Sequence, residues 1–394
     1  MFKDANRRMR CMALLCIDTL LVLTKKRTQH PDRVLVVRLD VIGDFVLWLD
    51  AAHAVVKHYK ALGKSVVLVA NATWAAWATE LTHFDDVIAV NVEEYQRNLS
   101  YRYRVGRKMR SLGCTIAVEP SYSRHWLLGD SVIRVSGASE RVGSVGDMLN
   151  LRTWQRRTAD RWYTRLLSAD PTPCMELERN AEFVRNLGEV NFQAKLPQLN
   201  AAETLRIDDA FTLATARQPY YVLFPGASWE GRQWPVSSFI EVTEKLYHRT
   251  GWQGVVCGGP SDHQLADTLC ARSNAPLLNW AGRTDLVQLA AILSATRLLL
   301  TNETSAVHIA AAYGVPTICL LGGGHYGRFM PYQVEQTDDR PLPRAIIHQM
   351  PCFGCNWQCI YERSLGGPVP CIERIHAEKV WRAISDVLGF LEKE

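Results

Sequence analysis

Short apolar runs alternate with amphipathic stretches along most of this chain. The first run, V-L-V-V-R-L at residues 34–39, is followed by a glycine-containing turn and a helical pattern at about 45–62. Apolar runs recur at residues 65–70, 87–90 and 115–120, and helical patterns separate them. This alternation is typical of a parallel α/β sheet covered by helices. We therefore predict a doubly wound domain in this half of the chain.

The alternation pauses and then restarts in the second half. Residues 170–173 are proline-rich, residues 197–206 are polar and weakly periodic, and strand patterns return at residue 220. The last helical pattern covers about 377–392. The pattern thus predicts an α/β protein with two doubly wound domains that face each other across a cleft. Since open parallel sheets bind ligands beyond the carboxyl ends of their strands, residues that follow strands are the candidates for function.

The length of 394 residues suits two domains of ~100–200 residues each. We place a basic extension at residues 1–33, a first domain at 34–195, a second at 196–376 and a last helix at 377–394. Apolar residues make up 47% of the chain and charged residues 22%, which excludes a disordered, collagen-like or coiled-coil protein.

The net charge of +5 is concentrated at the N-terminus. Residues 1–33 hold eight basic and three acidic side chains, whereas the rest holds 37 of each, so a generally basic nucleic-acid-binding protein is disfavoured. The extension also contains a 13-residue apolar run interrupted by Asp18. This run is shorter than the ~20 residues that span a bilayer. Lys25, Lys26 and Arg27 follow it where a signal peptide would have its cleavage site.

As a helix, the extension places Arg7, Asp18 and Lys25 on one polar stripe. Away from that stripe lie apolar residues, namely Leu14, Ile17, Leu20 and Leu21. Such a helix can lie on an anionic membrane surface or pack on its own domain, and the pattern favours neither. As a working hypothesis we predict that it holds a cytoplasmic protein at the inner face of the cytoplasmic membrane.

Asp44 follows the first strand, in the turn D-V-I-G-D, and stands where the next helix begins. A carboxylate in this place can cap the helix or act as a base at the floor of a cleft. Spacing alone favours the cap.

Loops after strands of the second domain combine small residues with a cation. After the strand at 220–224 come Gly226, Ser228 and Arg232, where backbone N–H groups and a guanidinium could hold a phosphate. After the strand at 297–301, Thr304 and Ser305 begin a helix of small residues, and a helix N-terminus binds anions. Each loop alone could be an ordinary strand–helix joint. Together they favour a nucleotide-diphosphate site.

Three segments resemble the signatures of glycosyltransferase family 9, which includes the ADP-heptose:lipopolysaccharide heptosyltransferases. They are V-L-V-V-R-L-D-V-I-G-D-F-V-L, F-P-G-A-S-W-E-G-R-Q-W-P and T-N-E-T-S-A-V-H-I-A-A-A-Y-G-V-P-T-I-C-L-L-G, and the resemblance covers about residues 34–332. It implies a GT-B fold of two Rossmann-like domains. The acceptor would bind mainly the first and the nucleotide sugar mainly the second, and the last helix would cross back to the first. It also implies inversion at the anomeric carbon without a catalytic metal.

The resemblance assigns roles to individual residues. Asp44 matches the general base, Arg232 the basic residue on the donor phosphates, usually Lys, and Glu303 the usual Asp that contacts the donor sugar. The implied donor-binding residues are Gly226, Ser228, Arg232, Asp262, Glu303, Thr304, Ser305, His308 and Gly323. A lone His such as His308 is more often structural. The chain departs from the family where G-G-G-H-Y-G replaces a G-P-T-D-P-like loop and N-E-T-S replaces N-D-S-G.

Four of the eleven cysteines lie close together, with the spacing C-x2-C-x3-C-x11-C: Cys352, Cys355, Cys359 and Cys371. They belong to a cysteine-rich loop at residues 350–372. Four thiolates complete a tetrahedral shell, so the spacing predicts a structural zinc or iron site. Two disulfides, or four reduced thiols, are the alternatives.

Basic residues also gather in the first domain. Residues 97–110 hold six basic residues and residues 152–165 hold five arginines, with aromatic residues between them. A nucleic acid, an anionic glycan or solvent could face such segments. We expect an anionic glycolipid or glycan acceptor to contact Arg102, Arg104 and Arg124, and we expect no nucleic-acid partner.

We therefore predict an inverting glycosyltransferase that moves a sugar, heptose above others, from a nucleotide-diphosphate donor such as ADP-heptose to lipopolysaccharide or another surface glycan. A family member with a non-heptose donor is one alternative. A non-catalytic scaffold that binds a nucleotide sugar or a metal is another.

Overall fold

A computed structural model of the protein describes residues 2–24, 29–200, 209–215, 218–335 and 339–390. The chain divides into two compact units. The first comprises Met1–Thr172 and Leu177–Ala194, and the second comprises Pro173–Glu176 and Lys195–Glu394.

The first unit contains a six-stranded, all-parallel sheet in the order β3-β2-β1-β4-β5-β6. Its strands are β1 (His30–Arg38), β2 (Ser65–Asn71), β3 (Asp86–Val90), β4 (Cys114–Glu119), β5 (Glu140–Ser144) and β6 (Arg165–Leu167). Its helices are α1 (Phe2–Leu23), α2 (Ile42–Ala61), α3 (Ala75–Leu81), α4 (Val92–Arg97), α5 (Leu99–Ser111), α6 (Gly129–Ser136), α7 (Thr153–Ala159) and α8 (Glu176–Leu187). The strand order reverses between β1 and β4, so this unit has its topological switch point there.

From Val34 to Arg38, strand β1 is buried on both faces, as expected of a central parallel strand. Leu35 and Val37 pack in a core cluster with Val105 of α5 and Val132 of α6. The opposite face carries Arg38, whose guanidinium lies 5.4 Å from the ring centre of Trp48 in α2. Helices α2 and α5 therefore cover opposite faces of the sheet.

The second unit repeats this architecture with the order β12-β11-β10-β7-β8-β9, again all parallel. Its strands are β7 (Tyr220–Phe224), β8 (Gln253–Val256), β9 (Leu277–Asn279), β10 (Leu299–Asn302), β11 (Thr317–Leu320) and β12 (Arg344–Ile346). Its helices are α9 (Asp209–Ala214), α10 (Val236–Thr250), α11 (His263–Arg272), α12 (Leu286–Ala295), α13 (Ser305–Ala312), α14 (Pro370–Glu373) and α15 (Ala377–Val387). The switch point lies between β7 and β10. The predicted fold class, with two doubly wound α/β domains, is thus confirmed.

The N-terminal helix α1 packs on α5 and α6 of its own unit. Leu14, Asp18 and Leu21 are buried in this contact. The helices approach closely, because a Cβ at Gly106 of α5 would lie 2.4 Å from Leu21 Cδ1. The predicted polar stripe is therefore wrong at Asp18, which faces the domain. The predicted partners of Asp18 on that stripe, the Arg7 side chain and Lys25, fall outside the described residues.

Within the described part of the chain, no helix is long and apolar enough to cross a membrane. Helix α15 lies in the second unit, where Val380, Ala383 and Ile384 join its core. Its expected return to the first domain stays a prediction.

Candidate functional site

Asn302 links the two loops at the switch point of the second unit. It ends β10, and its Oδ1 accepts a hydrogen bond from the backbone N–H of Trp234 at 3.1 Å. Its Nδ2 donates to the carbonyl of Pro225 at 2.6 Å, directly after β7. Asn302 is fully buried, so these hydrogen bonds satisfy its amide and fix the loops against each other.

These loops bring Ser228, Arg232 and Glu303 together. The Arg232 guanidinium donates to Ser228 Oγ at 3.1 Å and to the Glu303 carboxylate at 3.1 Å. It also donates to the Glu303 carbonyl at 2.8 Å. Burial raises the pKa of Glu303 to about 7, although the cation of Arg232 opposes this shift. The charge at this point therefore depends on pH in the neutral range.

Helix α13 presents its N-terminus beside this group. Thr304 is the N-cap residue, and its Oγ1 accepts from the backbone N–H of Ala306. Ser305 is the first helical residue, so the unpaired N–H groups of the first turn begin there. His308, one turn later, is buried, and its Nδ1 is hydrogen-bonded to Tyr332 Oη at 2.7 Å. Because burial lowers its pKa to about 4, His308 is neutral at pH 7. Its burial and its hydrogen bond to Tyr332 are typical of a structural histidine.

Asp262 lies against the loops that follow β7 and β8. Its carboxylate accepts from the N–H of Gly259 at 2.8 Å. A Cβ at Gly226 would lie 2.4 Å from Asp262 Cγ, and one at Gly258 would lie 2.7 Å from Oδ2, so both positions require glycine. Burial raises the pKa of Asp262. The structure thus groups Gly226 with Asp262 and places the pair next to the Ser228 loop.

Gly323 differs from its predicted place on the donor. Its N–H points to Cys371 Sγ at 3.5 Å, and its carbonyl accepts from Gly354 N–H at 2.7 Å. A Cβ at Gly323 would lie 2.3 Å from the Phe353 ring. The glycine run is therefore explained by the close packing of the cysteine-rich loop, and the donor contact expected of Gly323 finds no open backbone N–H or carbonyl.

Trp357 connects the cysteine-rich loop to Arg232. The Arg232 guanidinium carbon lies 4.6 Å from the Trp357 ring centre, a cation–π distance. The indole Nε1 donates to His325 Nδ1 at 3.2 Å, and the ring occupies the space where Gly322 and Gly324 lack a Cβ. Sequence reasoning missed this contact, because nothing in the local pattern shows what the ring covers.

The four cysteines of the loop are all free thiols. Burial raises the pKa of Cys371, and the other three thiols raise it further. Asn356 and Trp357 both have positive φ, 49° and 60°, a conformation that few non-glycine residues adopt. Among the described residues, no three His, Cys, Asp or Glu side chains converge closely enough to hold a metal ion. The structure shows a thiol cluster in a tight turn, without ligand geometry.

In the first unit, Asp44 is the third residue of α2, and Val41 is the N-cap. The interpretation of Asp44 as the cap is therefore wrong. A carboxylate in the first turn is still favoured by the helix dipole. Asp44 is partly exposed, at the carboxyl side of the central strand.

A second carboxylate, Asp40, follows the same strand and was not singled out from the sequence. Its Oδ2 lies 2.7 Å from Arg38 Nε, an ion-pair distance, and accepts a hydrogen bond from Ser121 Oγ at 3.0 Å. Ser121 follows β4, so Asp40 ties the two strands of the switch point together. The repeated Asp in D-V-I-G-D was the available signal.

A buried polar network lies behind this edge, around Glu119 at the end of β4. The Tyr163 hydroxyl lies within hydrogen-bonding distance of both Glu119 and Asp130, and Arg124 pairs with Asp130 and Asp160. Burial, with the charge of Asp130, raises the pKa of Glu119 well above its usual value. Arg124 is 1% exposed, so the expected acceptor contact through its side chain is wrong.

The expected acceptor contact of Arg102 is also wrong, because its side chain is buried. Its side chain is fully buried and forms a bidentate pair with Asp18 of α1 at 2.7 and 2.6 Å, which leaves no surface for an acceptor. Arg104 is exposed but lies on α5, on the sheet face opposite α2. The structure does not gather these arginines around Asp44.

Comparison with known proteins gives a consistent relationship. The family model for glycosyltransferase family 9 (heptosyltransferase) matches residues 153–354. Lipopolysaccharide heptosyltransferase 2 of Salmonella typhimurium is 23% identical over 309 residues, which are 74% of this chain and 82% of that protein.

Two solved structures extend the comparison. E. coli ADP-heptose LPS heptosyltransferase II matches with a TM-score of 0.63 and 18% identity, over 91% of this chain and 99% of its own. The iron-containing dodecameric glycosyltransferase TibC from enterotoxigenic E. coli H10407 matches with a TM-score of 0.54 and 10% identity, over 94% and 79%. At these identities both show a shared fold.

Proposed function

Because the chain belongs to glycosyltransferase family 9, we propose that it transfers heptose from ADP-heptose to a lipopolysaccharide or other surface-glycan acceptor, with inversion. Family membership makes it a glycosyltransferase with a relationship to lipopolysaccharide biosynthesis. The names of its relatives supply the donor and the acceptor class. A non-heptose nucleotide sugar is the second candidate, and the altered N-E-T-S and G-G-G-H segments motivate it.

The observation that carries the proposal is the group of Ser228, Arg232 and Glu303 beside the N-terminus of α13. A guanidinium and free helix N–H groups are the donors that a diphosphate needs. Thr304 and Ser305 are small, so their backbone would come close to the diphosphate. Glu303 would contact the sugar, and Asp262 would lie near the nucleoside.

In the proposed reaction, Asp44 accepts the proton of the acceptor hydroxyl as that oxygen attacks the anomeric carbon. The bond from the anomeric carbon to the diphosphate oxygen breaks, and its electron pair leaves with the nucleoside diphosphate. One displacement inverts the configuration. Arg232 and the α13 N-terminus stabilise the negative charge on the leaving group, a role that positioned donors can fill without a divalent cation. The acceptor is expected to be anionic.

Replacing Asp44 tests the base. Asp44→Asn should lower kcat by about 10²–10⁴-fold, because the hydroxyl loses its proton acceptor, while donor Kd changes little. Asp40→Asn is the matched comparison, since Asp40 follows the same strand and is occupied by Arg38 and Ser121. Turnover and donor titration should be measured on both. Full turnover in Asp44→Asn, or loss only in Asp40→Asn, would contradict the assignment.

We further propose that Cys352, Cys355, Cys359 and Cys371 hold one structural zinc or iron ion. Four thiols in one loop are a suitable donor set, and the left-handed residues Asn356 and Trp357 shape the turn between them. TibC, named as iron-containing, shares the fold. When bound, the ion would fix the loop that holds Trp357 over Arg232.

Metal content checks this site. The purified protein should carry about one zinc or iron per chain by elemental analysis, and Cys355→Ser should release it. Cys270→Ser, at a half-buried thiol of α11, is the control and should retain it. The proposal would be rejected if the native protein is purified without metal and all four thiols react with a thiol reagent. Two disulfides among the four cysteines would also reject it.

A further inference from the structure

Helix α1 exposes an apolar stripe on the side opposite Asp18. Its members recur every three or four residues and are Met9, Met12, Cys16, Leu20 and Leu23. Met12 is 66% exposed, Leu20 61% and Leu23 77%. Single exposed apolar residues are ordinary, but a continuous stripe indicates an interaction surface.

A basic cavity lies where this stripe ends. It is lined by Thr24, Tyr103, Arg104, Arg107, Lys108, Arg110 and Ser111. Among the described residues, the lining contains four cations and no carboxylate. Arg110 anchors the cavity to α1, since its guanidinium donates to the carbonyls of Val22 at 3.0 Å and Thr24 at 2.7 Å. Arg107 and Lys108 are exposed and have no ion pair with any described residue.

The position of α1 is fixed before any partner binds. Asp18 and Arg102 form a fully buried ion pair, and Ser131 Oγ donates to the same carboxylate at 2.8 Å. The stripe and the cavity are therefore held in one rigid arrangement, with Leu23 directly before the cavity residue Thr24.

We propose that α1 and α5 form a docking surface for an anionic phospholipid membrane. The stripe enters the interface between headgroups and acyl chains, and the cavity receives lipid phosphates. A phospholipid surface offers these two chemistries side by side, which is why it fits better than a free anion. A second copy of the chain fits less well, because it would cover the apolar stripe and leave the four cations of the cavity without an anionic partner. The proposal goes beyond the transfer reaction.

Vesicle sedimentation of the full chain tests the cavity. We expect binding to phosphatidylcholine vesicles that contain phosphatidylglycerol, weaker binding at high salt and little binding to phosphatidylcholine alone. Arg107→Ala with Lys108→Ala should weaken the binding by about 20-fold. Lys57→Ala with Arg272→Ala is the control, because it removes the same charge from exposed sites elsewhere. It should bind vesicles at least several-fold more tightly than the protein with both cavity substitutions.

The same assay tests the stripe. Leu20→Gln with Leu23→Gln should weaken vesicle binding by about tenfold or more, because apolar area no longer enters the interface. Val190→Gln is the control, because Val190 is 72% exposed and lies outside α1. This variant should bind vesicles as tightly as the wild type. Unchanged thermal unfolding shows that the variants are folded.

Three results would overturn the proposal. One is equal binding of the cavity variant and its control. Another is binding of soluble glycerol phosphate in the cavity with no binding to vesicles. The third is a wild-type oligomer that Leu20→Gln with Leu23→Gln dissociates, without vesicle binding by the wild type, which would assign the stripe to a second copy.

Discussion

At the scale of single residues, the candidate donor site is defined by one cation and one titrating carboxyl. Arg232 contacts Ser228, Glu303 and the ring of Trp357, so its guanidinium is held from three sides. Glu303 is 7% exposed, and burial brings its pKa to about 7. Near neutral pH, Arg232 therefore alternates between a neutral partner and an anionic one.

This titration predicts a pH-dependent donor affinity. Above pH 7 Glu303 ionises and competes with the diphosphate for Arg232, so donor affinity should fall as pH rises. The total fall should be about tenfold for each unit by which bound donor raises the pKa of Glu303. Because the folded pKa exceeds that of the unfolded chain, the same ionisation lowers stability as pH rises from 4.5 through 7. Glu303→Gln should flatten the affinity profile measured between pH 6 and 8.5. A wild-type affinity that is constant or rises over this range would contradict it.

At the scale of elements, α1 shows what its sequence pattern could not establish. Asp18 interrupts an apolar run, and its partner Arg102 is 84 positions away. The pattern predicted the helix. Whether Asp18 faces solvent or the domain depended on the cation of Arg102, which α5 brings close. For the same reason Arg102 and Arg124 appeared as surface candidates, although buried carboxylates pair with both.

The buried pair predicts a large effect on stability. Asp18→Ala leaves the Arg102 cation buried without its partner and should cost about 3–5 kcal/mol in the free energy of unfolding of the first unit. Replacing both residues, Asp18→Leu with Arg102→Met, should recover most of this loss, because no unpaired charge remains. Cys16→Ala, exposed on the same helix, should change stability by less than about 0.5 kcal/mol. Denaturant unfolding followed by circular dichroism measures all three, and equal stability of Asp18→Ala and Cys16→Ala would contradict the account.

At the scale of the whole molecule, the sequence predicted the architecture and much of the candidate donor group. The alternation of strands and helices predicted both sheets, and the strand-end rule indicated Ser228, Arg232 and Thr304. Glu303 came only from the resemblance to the family. Asn302 and the contact of Trp357 with Arg232 were missed, since hydrogen bonds and ring contacts between loops leave no periodic signal. Gly323 was misassigned for the same reason. A glycine run shows close approach, but not whether a ligand or the chain's own Phe353 approaches.

The most direct test of the central claim is to analyse the products when the full chain is incubated with an acceptor and a panel of nucleotide sugars. We predict turnover with ADP-heptose, one nucleoside diphosphate released for each sugar transferred, and a glycosidic linkage whose anomeric configuration is opposite to that of the donor. Turnover only with another nucleotide sugar would replace the donor and keep the reaction. Donor binding without transfer to any lipopolysaccharide-core or glycan acceptor, or retention of configuration, would contradict the account.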